Sequence, residues 1–396
     1  VSTFNDDLQQ RLAAIREQNL YRELRRVDSA QGPRIEIAGR TLLNFSSNDY
    51  LGLANHPALK EAAIKATEKF GAGAGASRLI CGSLAPFHEL EEALAVFKGI
   101  EAALTFSTGY AAALGAITAL LDKDDIIILD KLVHACIVDA AKLSGAKLRV
   151  FAHNDLDDLE TILKWADLKS RNTQHATRVL IVTESIFSMD GDHAPLREIV
   201  ALKEKYGAWL MVDEAHATGL FGENRRGLAE ETGVSDRIEI QMGTLGKALG
   251  ASGGYICGSR RLIDFLVNRA RSFIFSTAPV PAAAAAASAG IRLVQSGKGK
   301  TLNEKLRTHI AEVQSAIGNR ASAIPSAILP FIIGSETKAV ELAAQLRERG
   351  IFVPAIRYPT VARGAARLRI TLTAAHTKQD VEQLAAAFSQ IINHKS

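Results

Sequence analysis

The sequence predicts an α/β protein, with a large, mostly parallel sheet covered by helices on both faces and a smaller α+β domain after it. Three observations predict this. Short apolar runs alternate with helical stretches between residues 103 and 257, the pattern of strands joined by crossover helices. Around Gly297–Lys300 the chain turns polar and the alternation changes. The chain has 396 residues, 47% of them hydrophobic, enough for a sizeable core and more than one domain.

In order, Asp6–Arg26 has helical spacing and many charges, and is expected to form an amphipathic helix lying on the body of the protein. Ile35–Ile37 and Thr41–Phe45 read as a small hairpin. Pro57–Phe70 and Phe87–Phe97 are helices flanking a glycine-rich loop, Gly71–Ser83. Strands are expected at Ala103–Phe106, Ile126–Leu129, Val179–Thr183, Leu210–Val212, Ile238–Gln241 and Tyr255–Cys257. Helices are expected at Gly109–Leu121, Ile137–Leu143, Leu196–Tyr206, Arg261–Arg271 and Pro281–Gln295. The rest reads helix (Leu302–Ile317), strand (Ala327–Ile333), helix (Lys338–Arg349), strands (Ile351–Val353, Arg367–Leu372) and helix (Lys378–Ile392). The expected domains are 1–45 (helix and hairpin), 46–296 (large) and 297–396 (C-terminal α+β).

Composition narrows the function. With 47 basic and 43 acidic residues, a net charge of +4 is too balanced to argue for nucleic acid. Cys81, Cys136 and Cys257 are scattered, which suggests neither a disulfide framework nor a zinc or other metal site and fits a reducing cytoplasm. The polar start does not read as a secretion signal, and no run approaches a membrane span.

The chemistry centres on Gln241–Gly254, QMGTLGKALGASGG. Lysine is ordinarily a solvated surface residue. Here Gly246, Gly250, Gly253 and Gly254 leave little bulk around Lys247, and a buried strand precedes it. A partly desolvated amine of this kind attacks carbonyls and forms Schiff bases. Upstream, the apolar run Trp209–Val212 ends in Asp213, followed by Glu214, Ala215 and His216. An acid at the carboxyl end of a buried strand sits where open α/β sheets bind ligands, and it can hold a proton on a pyridine nitrogen. A lysine-bound aldehyde cofactor facing such an acid is the arrangement of a pyridoxal-phosphate (PLP) enzyme.

Other motifs have plainer alternatives. Gly71–Ala76 formally matches G-x-G-x-x-A, but a helix precedes it, so a dinucleotide site is disfavoured. Asp213–His216 spells DEAH, a helicase string, yet no phosphate loop lies upstream. His134 could be a satisfied packing residue or could stack on a planar ring. Ser107–Tyr110 ends a strand and begins a helix, which suits a phosphate or an ordinary N-cap. Arg367 and Arg369 share one strand face. They could bind a carboxylate or be exposed edge charges, which the sequence alone slightly favours.

Beyond these readings, the motifs NFSSNDYLGL (Asn44–Leu53), HELEEALA (His88–Ala95), TESIFSMDGD (Thr183–Asp192), MVDEAHATG (Met211–Gly219), GTLGKALGASGG and FSTA (Phe275–Ala278) resemble signatures of the α-oxoamine synthases. These are PLP enzymes of fold type I, and the resemblance runs from about Asn44 to the C-terminus. It implies that Lys247 carries the cofactor, Asp213 pairs with its ring nitrogen, His216 bonds its hydroxyl and His134 stacks on its ring. Gly109, Tyr110 and Thr244 would hold the phosphate, with Ser276 and Thr277 supplied by the other subunit of a homodimer. Ser188 would lie near the cofactor and Asn48 near the substrate. Arg369 would clamp the amino-acid carboxylate, and Arg25 and Arg357 would lie near the substrate. FSTAPVP and Ile356–Thr377 resemble the member that condenses L-alanine with pimeloyl-CoA; the member that joins glycine to an acetyl group is the nearest competitor. Ala113, Val280 and Ala362 depart from the residues usual in the family and leave the acyl-chain preference open.

Overall fold

The N-terminal helix is shorter than its sequence suggests. It runs Phe4–Glu17, opened by a capping box between Thr3 and Asp6. It ends before Asn19, which takes the left-handed conformation at φ 55°, a region that Asn tolerates better than most residues. Residues 18–26 therefore lie outside the helix. None of the helix is buried, and Phe4, Leu8, Leu12 and Ile15 are exposed in the single chain, where the sequence suggested packing on the body. Strands β1 (Arg34–Ile37) and β2 (Arg40–Asn44) form the expected hairpin.

The computed structural model describes residues 3–171, 177–317 and 326–393. The chain divides into two units. The larger comprises Leu51–Ser188 and Asp192–Asn303; the other comprises Val1–Tyr50, Met189–Gly191 and Glu304–Ser396. The N-terminal hairpin thus belongs with the C-terminal segments rather than standing apart. The polar Gly297–Lys300 stretch is the first turn of the helix Gly297–Ile317, which contributes to both units.

The larger unit holds a seven-stranded sheet of β3 (Ala102–Phe106), β4 (Ile126–Asp130), β5 (Lys147–Phe151), β6 (Val179–Glu184), β7 (Trp209–Asp213), β8 (Ile240–Thr244) and β9 (Gly254–Gly258), in the order β3-β9-β8-β7-β6-β4-β5. Only β9 runs against its neighbours. Every residue of β3, β4 and β9 is buried, as expected of strands covered on both faces. The core includes Phe106, Ile117, Leu129, Ile137, Met242 and Phe273. Strand β5 was not anticipated, because its Lys147 and Arg149 interrupt the apolar run; such charges are common on edge strands, which is where β5 lies.

In the smaller unit, β10 (Ile328–Gly334), β12 (Ala355–Ile356) and β13 (Ala366–Thr371) form one sheet, and β11 (Ile351–Phe352) pairs with β2. β13 is central and all its residues are buried. Arg367 and Arg369 are therefore not exposed edge charges.

Candidate active site

Because β3, β4, β6, β7 and β8 run in one direction, the segments that follow them leave from one end of the sheet, the end at which open α/β folds bind ligands. Ser107–Tyr110 follows β3, His134 follows β4, Glu184 and Ser188 end and follow β6, Asp213 and His216 end and follow β7, and Thr244 and Lys247 end and follow β8.

Lys247 sits in a short loop closed by hydrogen bonds from Gly250 N to Lys247 O (2.9 Å) and from Ala251 N to Leu245 O (2.8 Å). Gly250 takes φ 68°, and a Cβ there would meet the Leu53 Cβ at 2.6 Å, so the turn needs glycine. The Lys247 amine lies 2.8 Å from His216 Nε2. When the amine is an ammonium it donates and Nε2 accepts, which places the neutral imidazole's proton on Nδ1. His216 is buried.

Asp213 is buried and accepts the Ala215 backbone N–H at 2.9 Å. Burial raises its pKa, while the charge of Lys247 opposes the rise. His134 caps the helix Ala135–Ser144. Its Nδ1 accepts the Cys136 backbone N–H at 3.2 Å and lies 3.0 Å from Cys136 Sγ. Burial pushes the Cys136 thiol up, so it stays protonated and donates. Nδ1 is thus an acceptor, and in the neutral ring Nε2 carries the proton. Partial burial lowers the His134 pKa, with the Lys247 charge acting in the same direction against the pull of Asp213.

At the phosphate-type end, Thr108 caps the helix Gly109–Leu120 and accepts from Ala111 N. A Cβ at Gly109 would meet Thr244 Cγ2 at 2.5 Å, so only glycine lets the helix start lie this close to Thr244. Thr244 Oγ1 is buried without a hydrogen-bond partner among the described residues. A buried hydroxyl left unpaired is costly, and beside a helix N-terminus it suits an anion's oxygen. The residues present therefore fit PLP: an amine for its aldehyde, an acid for its ring nitrogen, and a helix start with a spare hydroxyl for its phosphate. Tyr110 is exposed and donates to Asp139 Oδ2 at 2.5 Å. Ser188 is buried and donates its backbone N–H to Glu184 Oε2 at 3.1 Å. Ser276 and Thr277 line a small cavity with Ser107 and Arg78 of the same chain.

In the smaller unit, Arg369 and Asn48 come together: the guanidinium donates to Asn48 Oδ1 at 3.1 Å and to Thr371 Oγ1 at 2.9 Å. Arg367 is occupied elsewhere, with Asp190 at 2.5 Å. Arg25 and Arg357 line one cavity of about 120 Å³ with Arg347, Phe352 and Val353. Arg357 also donates to the carbonyls of Asn19 and Tyr21.

Several residues around the site escaped the sequence reading. Glu184 ends β6 as Asp213 ends β7, and the acid closing the run VLIVTE was the available signal. Lys98 and Glu214 form a buried ion pair at 2.7 Å; nothing local marks Lys98. His153 bridges Asp130 (2.9 Å) and Asp192 (2.7 Å), tying the end of β4 to the loop after Ser188. Burial alone would depress its pKa, but the two carboxylates outweigh this and raise it to about 10. The sign follows from linkage: folding favours the protonated ring, so this contribution is full below the unfolded value of 6.5 and is lost as pH rises towards 10. His153→Ala is expected to lower stability at neutral pH by about 3 kcal/mol. In denaturant titrations the gap to the parent should narrow steadily as pH rises from about 6.5 towards 10; a gap independent of pH would contradict the clamp.

Comparison with known proteins finds relatives over nearly the whole chain. A family model described as aminotransferase class I and II matches residues 40–388. An 8-amino-7-oxononanoate synthase of Geobacter sulfurreducens is 47% identical over 383 residues, 96% of each chain. A serine palmitoyltransferase from S. paucimobilis, solved with bound PLP-myriocin aldimine, superposes with a TM-score of 0.89 at 29% identity, covering 97% of this chain and 96% of that one. An 8-amino-7-oxononanoate synthase from Francisella tularensis gives a TM-score of 0.74 at 28% identity, covering 89% of this chain and 98% of that one.

Proposed function

Because the chain belongs to the class I and II aminotransferase family and, within it, to the 8-amino-7-oxononanoate synthases, we infer that it condenses L-alanine with pimeloyl-CoA, releasing CoA and CO2. It is a PLP-dependent acyltransferase of biotin biosynthesis that joins an amino acid to an acyl thioester. The observation that carries the reading is the Lys247 amine 2.8 Å from His216, at the sheet end where Asp213 closes the neighbouring strand.

When bound, PLP supplies an electron sink for negative charge at the amino-acid Cα. The protein supplies the rest. Asp213 would keep the cofactor's ring nitrogen protonated, His216 would bond its ring hydroxyl, and His134, whose Nδ1 accepts the Cys136 N–H, would stack on the ring. Thr244 Oγ1 and the backbone of Gly109 and Tyr110 would hold the phosphate, joined by Ser276 and Thr277 of a second subunit, and Ser188 would line the cofactor. Lys247 Nζ would hold the cofactor through its aldehyde, and as a free amine it would take the Cα proton as general base. Arg369, oriented by Asn48 and Thr371, takes the amino-acid carboxylate, and Arg25 and Arg357 lie towards the acyl substrate.

The active form is a homodimer in this reading. Ile80 and Phe275, beside the loop carrying Ser276 and Thr277, are exposed in the single chain at 79% and 72%, and a subunit interface would cover them. The setting is the cytoplasm; among the described residues, no helix is long and apolar enough to cross a membrane.

CoA release measured over a panel of amino acids and acyl-CoA donors tests the substrate pair. L-Alanine with pimeloyl-CoA should be fastest, and faster release from glycine with acetyl-CoA would reassign it. Arg369→Ala should raise the KM for the amino acid about 30-fold, the loss of roughly 2 kcal/mol of charged hydrogen bonding, and leave the acyl-CoA KM nearly unchanged. Equal effects on both would remove the clamp.

A further inference from the structure

Asp213 is not the only acid at its end of the sheet. Glu184 ends β6 directly opposite Asp213 in register. Register partners on parallel neighbours, about 4.8 Å apart, point to the same face. Both side chains are buried, with exposures of 2% for Glu184 and 5% for Asp213. Glu184 Oε2 accepts the Ser188 backbone N–H at 3.1 Å. Its Oε1 makes no hydrogen bond among the described residues, while the backbone N–H groups of His134 and Ser188 both act on the carboxyl and favour its charged form. The groups facing Glu184 are Asp213 from β7, Lys247 from the loop after β8, and the thiol of Cys136 from the helix capped by His134. Among the described residues, Lys247 is the cation whose charge acts on both carboxylates.

Two ionised carboxylates side by side, one with an unsolvated oxygen, are unfavourable in a buried place. We propose that Glu184 is a positioning residue of this site and stays a neutral acid, so that Asp213 alone presents negative charge to the cofactor's ring nitrogen. The proposal rests on the reading of Asp213 given above. No proton is transferred in this role: it stays on Glu184, while Asp213 accepts the ring N–H. Burial first, and the Asp213 charge second, raise the Glu184 pKa to about 8 against the opposing charge of Lys247. An unfolded glutamate releases its proton near 4.5. The folded protein therefore holds one proton more between those values, and Glu184's contribution makes stability fall as pH rises through that window.

Glu184→Gln replaces a neutral acid with a neutral isostere. At pH 7 its PLP affinity, measured by fluorescence titration of the apoprotein, should stay within about twofold of the parent. The infrared carbonyl band of a protonated carboxylic acid, present in the parent holoenzyme at pH 7, should vanish in Glu184→Gln and persist in Asp213→Asn. A natively folded Glu184→Gln protein that loses more than about tenfold in PLP affinity overturns the proposal, as does a parent holoenzyme without the band. If Glu184→Gln fails to fold, the parent decides: loss of the band with a midpoint near pH 8 supports the proposal, and full ionisation by pH 6 overturns it. An Asp213→Asn enzyme with unchanged turnover overturns the reading of Asp213 and, with it, the role given to Glu184. A missing band overturns only the neutral state of Glu184.

Discussion

Lys247→Ala is expected to give a folded protein that shows no visible absorbance from lysine-bound cofactor when mixed with PLP, and whose turnover falls by about four orders of magnitude. The variant loses two functions at once. The amine is the only group proposed here to join the aldehyde, and the same amine takes the Cα proton, a role worth roughly 10²- to 10⁴-fold by itself. The fold should survive, because Lys247 lies in a loop closed by backbone hydrogen bonds of Gly250 and Ala251 that do not involve its side chain. The measurement is an absorbance spectrum of apoprotein titrated with PLP, alongside single-turnover kinetics. A normal visible band in the variant would place the cofactor on another amine and withdraw the assignment.

Lys98→Ala is expected to be the most destabilising change outside the site. Lys98 Nζ lies 2.7 Å from Glu214 Oε2 and 2.5 Å from the Arg226 carbonyl, and both side chains of the pair are almost wholly buried. Glu214 also accepts the Ala229 N–H at 2.9 Å. Removing the ammonium leaves an uncompensated charge in the interior, which costs about 3–5 kcal/mol. Glu214 follows Asp213 directly, so the loss should also weaken PLP binding. The double change Lys98→Met with Glu214→Gln should recover part of the stability, because no charge is then left unpaired. Urea denaturation monitored by circular dichroism checks both variants. A single variant within 1 kcal/mol of the parent would show that water reaches the pair.

Lys247 and Asp213 were legible for a local reason. Each sits at or within a few residues of a mostly buried strand, and a charged residue there stands out. Glu184 closes VLIVTE as Asp213 closes WLMVD, so the same local signal marks it. The end of the first helix was less legible, because Arg16–Arg26 keeps helical spacing; the left-handed Asn19 stops the helix, and the sequence offers no pattern that requires it.

Other features had no local trace. Lys98 and Glu214 are 116 residues apart, and His153 reaches acids on two different loops. Arg369 looked like an edge charge until β13 proved to lie between β10 and β12. Strand order, like long-range ion pairing, is set by which segments pack together, and a linear pattern does not encode it.

The sequence by itself determined the alternation of strands and helices, the lysine between glycines and the acid at a strand end, because each depends on neighbours within a few positions. Only the tertiary structure decided which acids share the buried end of the sheet, which cation neutralises Glu214, and which arginine pairs with Asp190. Those outcomes depend on desolvation and on charges brought close by folding, and both exist only once distant segments are packed together.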